Sequence, residues 1–181
     1  IRLGTRGSRL ALWQANRVAG LVSKAEPGID VELVIIKTTG DERSEFGDLA
    51  PEQVGEFAGE LEKKLLQGDI DAAVHSAKDL PTRLPRGLVV AAYPERADPR
   101  DALVRRDTGG KEPPKGAVIA TGSPRRDMLW RERWKETQTR EIRGNVDRRM
   151  EKLQKQTDLW GLVLACAGID RLGGVPEKLV M

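Results

Sequence analysis

Apolar positions in the first ninety residues alternate between strand-like and helical spacing. Ile1–Thr5 reads as a short strand. Ser8 is placed to cap a helix running to about Ala25, with Leu12, Ala15, Ala19 and Val22 at helical intervals. Glu26-Pro27-Gly28 ends that helix. Val31–Lys37 is β-branched and apolar, as expected of a buried strand. Thr38–Gln53 is polar with Gly and Pro, and reads as a mobile loop. In Phe57–Gln67, Phe57, Leu61 and Leu65 form one helical stripe and Gly68 is the stop. Ile70–His75 and Leu88–Tyr93 read as strands on either side of the loop Ser76–Pro85.

Pro94–Pro99 is polar and bounded by prolines, which marks an interdomain linker. A second series follows it. Ala102–Val104 and Val118–Ala120 read as strands, and Ser123 as an N-cap with Pro124 in the first helical position. Glu141-Ile142 closes a short strand, and Asn145 caps a helix to about Gln154. Leu159–Ala165 is the most apolar strand of this half, and a last helix starts at Gly168–Leu172. Strands alternating with helices imply mostly parallel sheets covered on both faces. The expectation is a two-lobed α/β protein: a first domain over 1–94, a hinge at 95–99, a second domain over 100–181, and a cleft between the lobes.

Composition narrows the class. Of 181 residues, 39% are hydrophobic and 33% charged, which suits a globular chain. No apolar run approaches the roughly 20 residues of a membrane span. The first residues, Ile1-Arg2-Leu3-Gly4, have no signal-peptide pattern, so no membrane and a cytoplasmic location are expected. With Cys166 and His75 the only residues of their types, no metal site of the His/Cys kind is expected. The net charge of +3 invites an anionic partner. Aromatics are only 4% and the charge signs are mixed, so no stacking platform for nucleic acid emerges.

Candidate chemistry lies where strands hand over to helices, because helix starts present free amides and a positive dipole end there. Three turns share glycine, a hydroxyl or amide cap, and arginine: Thr5-Arg6-Gly7-Ser8, Thr121-Gly122-Ser123-Pro124-Arg125-Arg126 and Arg143-Gly144-Asn145. Glycine allows close approach, and arginine grips carboxylates in a bidentate fork. Any one such turn is equally well an ordinary capped helix start. Three that face one cleft would suit a ligand with several anionic groups. A further loop, Ala73–Pro81, carries Lys78 and Asp79 beyond a strand end. Asp79 there is either a surface partner of Lys78 or a carboxylate that supports a cationic intermediate.

The run Gly4–Ala15 resembles the opening motif of porphobilinogen deaminases (hydroxymethylbilane synthases). Ala73–Pro81 is similar to their catalytic-aspartate segment, and Arg96–Ala102 to their interdomain crossover. Thr121–Arg126, Ile142–Val146 and Leu164–Gly173 follow in that family's order and spacing. The resemblance covers almost the whole chain. It implies two domains like those of type II periplasmic binding proteins, with mixed sheets and helices on both faces. It also implies a monomeric transferase of tetrapyrrole biosynthesis that condenses four porphobilinogens onto a dipyrromethane primer, releasing hydroxymethylbilane and ammonia. By the same resemblance Asp79 is the catalytic carboxylate. Arg6, Lys78, Arg125, Arg126, Arg143 and Arg149 bind acetate and propionate groups. Ser8, Gln14, Thr121, Ser123, Gly144 and Asn145 complete the polar cage.

The family attaches its dipyrromethane to a cysteine of a third domain in a Gly-Gly-Cys context, which this sequence lacks, as it lacks the segment returning to the first domain. Cys166 stands where the family has a small apolar residue, and is expected to be a buried side chain rather than the anchor. The sequence therefore reads as part of a longer protein that binds alone but does not turn over. A second departure is Val54-Gly55-Glu56-Phe57, where the family has a lysine and this chain has none. Two other functions compete: a non-catalytic two-lobed binder of an anionic small molecule, and a basic nucleic-acid binder resting on pI alone.

Overall fold

The computed structural model describes residues 1–37, 56–106, 112–174 and 178–180. The loop expected at Thr38–Gln53, Val54 and Gly55, and the side chains of Glu56 and Phe57 lie outside that description. The chain forms two compact units, Ile1–Glu95 and Arg96–Met181.

In the first unit, β1 (Arg2–Thr5) lies between β2 (Glu32–Ile35) and β3 (Ala72–Ala73), all parallel. Leu3 pairs with Leu33 and Ala72, and Gly4 with Val34 and Ala73. Helix α1 (Arg9–Ala25) returns the chain from β1 to β2 and packs on both. Ser8 caps it as its sequence position suggests, the hydroxyl accepting from the Ala11 amide at 3.3 Å. Helix α2 (Glu56–Leu66) buries Leu61 against Ile36 and Ile70. A side chain at Gly4 would run into Ile70, so glycine at this central position lets the apolar cluster close over the sheet.

Three expectations fail in this unit, the first being that Val31–Lys37 forms a buried strand: β2 lies at the edge of the described sheet, and Ile35 is 58% exposed. The strand expected over Ile70–His75 shrinks to Ala72–Ala73, although Asp71 donates to the Arg2 carbonyl and Val74 to that of Gly4, on either side of it. Leu88–Tyr93 is not a strand. Its apolar composition suits one, but a strand is held by a neighbour's backbone, and among the described residues none pairs with it. Val89 is 83% and Tyr93 72% exposed in consequence.

The second unit holds five strands in the order β6-β5-β7-β4-β8: β4 (Asp101–Arg105), β5 (Val118–Thr121), β6 (Gln138–Glu141), β7 (Gly161–Ala165) and β8 (Lys178–Val180). β5 is parallel to β6 and β7, while β4 is antiparallel to β7 and β8, so this sheet is mixed. Strand alternation sends its side chains to two faces. Ala102, Val104, Ala120, Leu162 and Leu164 form one cluster with Leu153 of α4 (Val146–Lys155) and Ile169 of α5 (Cys166–Arg171). Leu103, Ile119 and Val163 meet Trp130 of α3 (Pro124–Arg133) on the other. Helices thus cover both faces. The last helix starts at Cys166 rather than Gly168, directly where β7 ends. Cys166 is fully buried in the first of these clusters, as a small side chain there should be.

Candidate functional site

Each unit gathers its candidate residues at the carboxyl ends of its parallel strands. In the first unit, β1 ends at Thr5, which is fully buried and donates its hydroxyl to the carbonyls of Arg6 and Ala11, both at 3.3 Å. That ties the Arg6-Gly7-Ser8 turn to the start of α1. Beside it, the chain beyond β3 passes through Val74 and His75 into a 3-10 turn over Ala77–Asp79. The turn is closed by the Asp79 amide donating to the Ser76 carbonyl at 2.9 Å. Gln14 and Ser76 join α1 to this loop: the Gln14 amide nitrogen and the Ser76 hydroxyl lie 2.9 Å apart. Lys78 and Asp79 are exposed.

His75 records the electrostatics of this corner. Burial lowers the imidazole pKa below its ordinary 6.5, the Arg6 charge lowers it further, and the Asp79 carboxylate partly opposes both. Arg6 and Asp79 therefore both act on one half-buried neutral ring. The structure brings Arg6, Ser8, Gln14, Lys78 and Asp79 to the carboxyl end of the first sheet.

In the second unit, β5 and β6 run side by side, so the turns Thr121-Gly122-Ser123 and Arg143-Gly144-Asn145 are neighbours. The Ile142 amide donates to the Thr121 carbonyl at 3.3 Å. Arg149, on α4, spans both turns. Its Nε donates to the Gly144 carbonyl at 2.6 Å, while its guanidinium lies against Gly122. A Cβ at Gly122 would stand 2.8 Å from Arg149 Nη1 and 2.7 Å from the Ile142 carbonyl oxygen. Gly144 has φ +102°, a backbone that side chains strain to adopt. Asn145 caps α4 through its side chain, accepting from the Arg148 amide at 3.1 Å. Ser123 occupies the cap position of α3, but its hydroxyl makes no capping bond. Its amide donates instead to the Thr121 hydroxyl at 3.3 Å. In the first turn of α3 Pro124 has no N–H and the Asp127 amide donates to the Ser123 carbonyl at 2.9 Å, so it is the amides of Arg125 and Arg126 that lack the Ser123 hydroxyl and could meet an anion.

Two candidate arginines share a partner that their sequence positions do not disclose. Arg126 places Nε and Nη2 on Asp101 Oδ1, each at 2.8 Å, and Arg125 Nη2 reaches Oδ2 at 3.0 Å. Burial alone would raise the Asp101 pKa. Hydrogen bonds and charge from Arg126, then from Arg125, more than offset that and hold it below the usual carboxylate value. Arg143 pairs with Glu141, with Nε and Nη2 each 2.9 Å from Oε1, and Lys152 donates to the Arg143 carbonyl at 3.3 Å. Asp101 and Ser76 lie within motifs read from the sequence but received no site role there, and Lys152 lies outside them. Asp101 becomes a neighbour of α3 only because β4 runs antiparallel to β7, pairing Asp101 with Ala165. No spacing along the chain carries that information. Among the described residues, no group of His, Cys, Asp or Glu could hold a metal ion, and no helix is long and apolar enough to cross a membrane.

By fold and by the groups at its strand ends, the chain is a mixed α/β protein of two units with guanidinium-bearing strand-to-helix turns. Residues 1–179 match the family model described as porphobilinogen deaminase, dipyromethane cofactor binding domain, and the chain belongs to that family. It is 48% identical over 177 residues to the porphobilinogen deaminase of Syntrophomonas wolfei, covering 96% of this chain and 56% of that one. To the porphobilinogen deaminase of Geobacter metallireducens it is 46% identical over 176 residues, covering 96% and 54%. The chain thus spans about half the length of the curated relatives it matches. An ancestral cyclohexadienyl dehydratase aligns with the whole chain and 72% of its own at 14% identity and a TM-score of 0.42, too slight a likeness to define the fold.

Proposed function

We propose that this chain is the pyrrole-handling part of a hydroxymethylbilane synthase, which condenses four porphobilinogens on a dipyrromethane primer and releases hydroxymethylbilane and ammonia. One observation supports this most: two adjacent strand ends, each with a glycine and a helix start, are bridged by Arg149 and flanked by Arg125, Arg126 and Arg143. Each porphobilinogen carries an acetate and a propionate, so a growing pyrrole chain needs several fixed cations. Guanidinium forks and helix amides together suit such carboxylates.

The donor set also fits the dipyrromethane. Arg125, Arg126, Arg143 and Arg149 would hold its carboxylates and those of each porphobilinogen joined to it, with Thr121, Ser123, Gly144 and Asn145 completing the polar surround. When bound, the primer supplies the pyrrole carbon that is extended. Arg6 and Lys78 would bind acidic groups of the incoming porphobilinogen, with Ser8 capping the helix behind the turn that presents Arg6 and Gln14 tying that helix to the Ser76 loop. In each addition the carbon–nitrogen bond at the aminomethyl carbon would break, releasing ammonia, and that carbon would bond to the free pyrrole α-carbon, whose proton is lost; water would then cleave the finished chain from the primer and supply the hydroxyl of hydroxymethylbilane. Asp79 would accept the pyrrole N–H and stabilise the positive charge that builds as ammonia departs. The 3-10 turn sets its backbone, and the neutral His75 adds no competing charge.

The test is turnover by the full-length protein with porphobilinogen. Ammonia and hydroxymethylbilane should appear in a ratio of about four to one by the reaction stoichiometry, with Asp79→Asn reducing the rate by about a thousandfold or more at an unchanged circular dichroism spectrum. Wild-type activity in the Asp79→Asn protein would remove Asp79 from the chemistry. Absence of both products from the wild type would remove the function.

A further inference from the structure

We infer that Asp101 is a positioning residue that divides the α3 arginine pair into one fixed and one exchangeable cation. The inference rests on the proposed function, since it concerns how those arginines meet an acidic ligand. Asp101 and Arg126 are nearly enclosed, with side chains 15% and 10% exposed, whereas Arg125 is 59% exposed. Arg126 directs both Nε and Nη2 to a single oxygen, Oδ1, while Arg125 has one contact, to Oδ2. A buried charge left without its partner is strongly disfavoured, and an exposed one is not. Arg125 is therefore the member that can leave. When it swings to a ligand carboxylate, Asp101 keeps Arg126, and no enclosed charge is orphaned. When Arg126 leaves, an enclosed pair is broken.

The charges point the same way. Two guanidiniums against one carboxylate leave one positive charge in this cluster, and the Asp127 carboxylate of the same first turn is taken up by Arg131 at 2.9 Å. The first-turn amides of α3 add to that positive charge. The Asp101 carboxylate is held ionised by the two arginines despite its burial, so it stays a full counter-ion at neutral pH. Arg125 thus waits in a defined place on a partner it can exchange for an acetate or propionate. This lowers the ordering cost of capturing one compared with a freely moving side chain.

The test uses the full-length protein with porphobilinogen as the probe. Asp101→Asn should raise KM about tenfold with kcat changed less than threefold, and Asp101→Glu, which keeps the charge, should recover most of that loss. In an Arg126→Gln background, Asp101→Asn should raise KM markedly less than in wild type, because only the hold on the exchangeable Arg125 is left to lose. Equal losses in both backgrounds, or equal losses for the Asn and Glu variants, would overturn the inference. If Asp101→Asn does not fold, the double variant still removes both enclosed charges, and its comparison with Arg126→Gln decides. Side-chain NMR gives an independent readout without turnover. The Arg126 Nε–H should exchange slowly in wild type and rapidly in Asp101→Asn, and porphobilinogen should shift the Arg125 signal first. A fast-exchanging Arg126 Nε–H in wild type, or a primary shift at Arg126, contradicts the division of roles. Failure of the functional reading looks different: Arg125→Gln and Arg126→Gln would each leave KM unchanged, while the exchange rates stay as described.

Discussion

Gly122→Ala probes the point where the two turns of the second unit are held closest together. The added Cβ would lie 2.7 Å from the Ile142 carbonyl oxygen and 2.8 Å from Arg149 Nη1, with Arg149 Cζ at 3.1 Å. Retreat of the guanidinium is opposed by the 2.6 Å bond from Arg149 Nε to the Gly144 carbonyl. Movement of Ile142 is opposed by its amide bond to Thr121 and by its burial at 5% exposure. Overpacking of this kind costs about 1–3 kcal/mol. Losing the charged hydrogen bond instead costs about 1.5–3 kcal/mol. Both routes give a similar destabilisation of about 2 kcal/mol, and both move Arg149 relative to the two turns. Urea unfolding of the full-length protein should show the midpoint falling at an unchanged slope. KM for porphobilinogen should rise about tenfold, equivalent to about 1.4 kcal/mol of lost binding. An unchanged midpoint together with an unchanged KM would refute the close contact and the role of Arg149 that depends on it.

Two further perturbations test the packing and the electrostatics separately. Leu153→Ala empties a fully buried position under the second sheet and should cost about 2–5 kcal/mol by urea unfolding, whereas Leu21→Ala, at 44% exposure, should cost about 0.5 kcal/mol or less; equal costs would contradict the assignment of the core. Because the folded His75 pKa lies below 6.5, the unfolded chain takes up its proton first as pH falls. The His75 contribution should be whole above about pH 6.5 and decline between there and the lower folded value, a slope absent in His75→Asn; identical pH profiles for the two proteins would show that the ring is not held neutral.

The alternating pattern carried the architecture well where strands and helices are both local and apolar. Ser8 and Asn145 cap the helices they precede, and the apolar runs at Val31–Lys37 and Leu159–Ala165 contain β2 and β7. It misled where pairing decides the outcome. Leu88–Tyr93 has a strand's composition, but composition supplies no partner backbone. Ile70–His75 narrowed because only Ala72 and Ala73 find a ladder with β1. Site residues were legible through glycine, cap and arginine in the same turn, a local signature. What those arginines touch was not, because Asp101 reaches Arg125 and Arg126 through the antiparallel placement of β4, and Arg149 reaches Gly122 through the parallel pairing of β5 with β6. Ser123 shows the converse, a cap position chosen by sequence whose hydroxyl makes no capping bond.

The most direct measurement is the intact mass of the full-length protein from a porphobilinogen-producing host, before and after brief exposure to porphobilinogen. The account predicts a mass above the bare chain by one dipyrromethane. After exposure it predicts a ladder of added units, each one porphobilinogen less ammonia, and Asp79→Asn should stop at the primer. A bare, unmodified chain that gains nothing on exposure, or an identical ladder from Asp79→Asn, would contradict it.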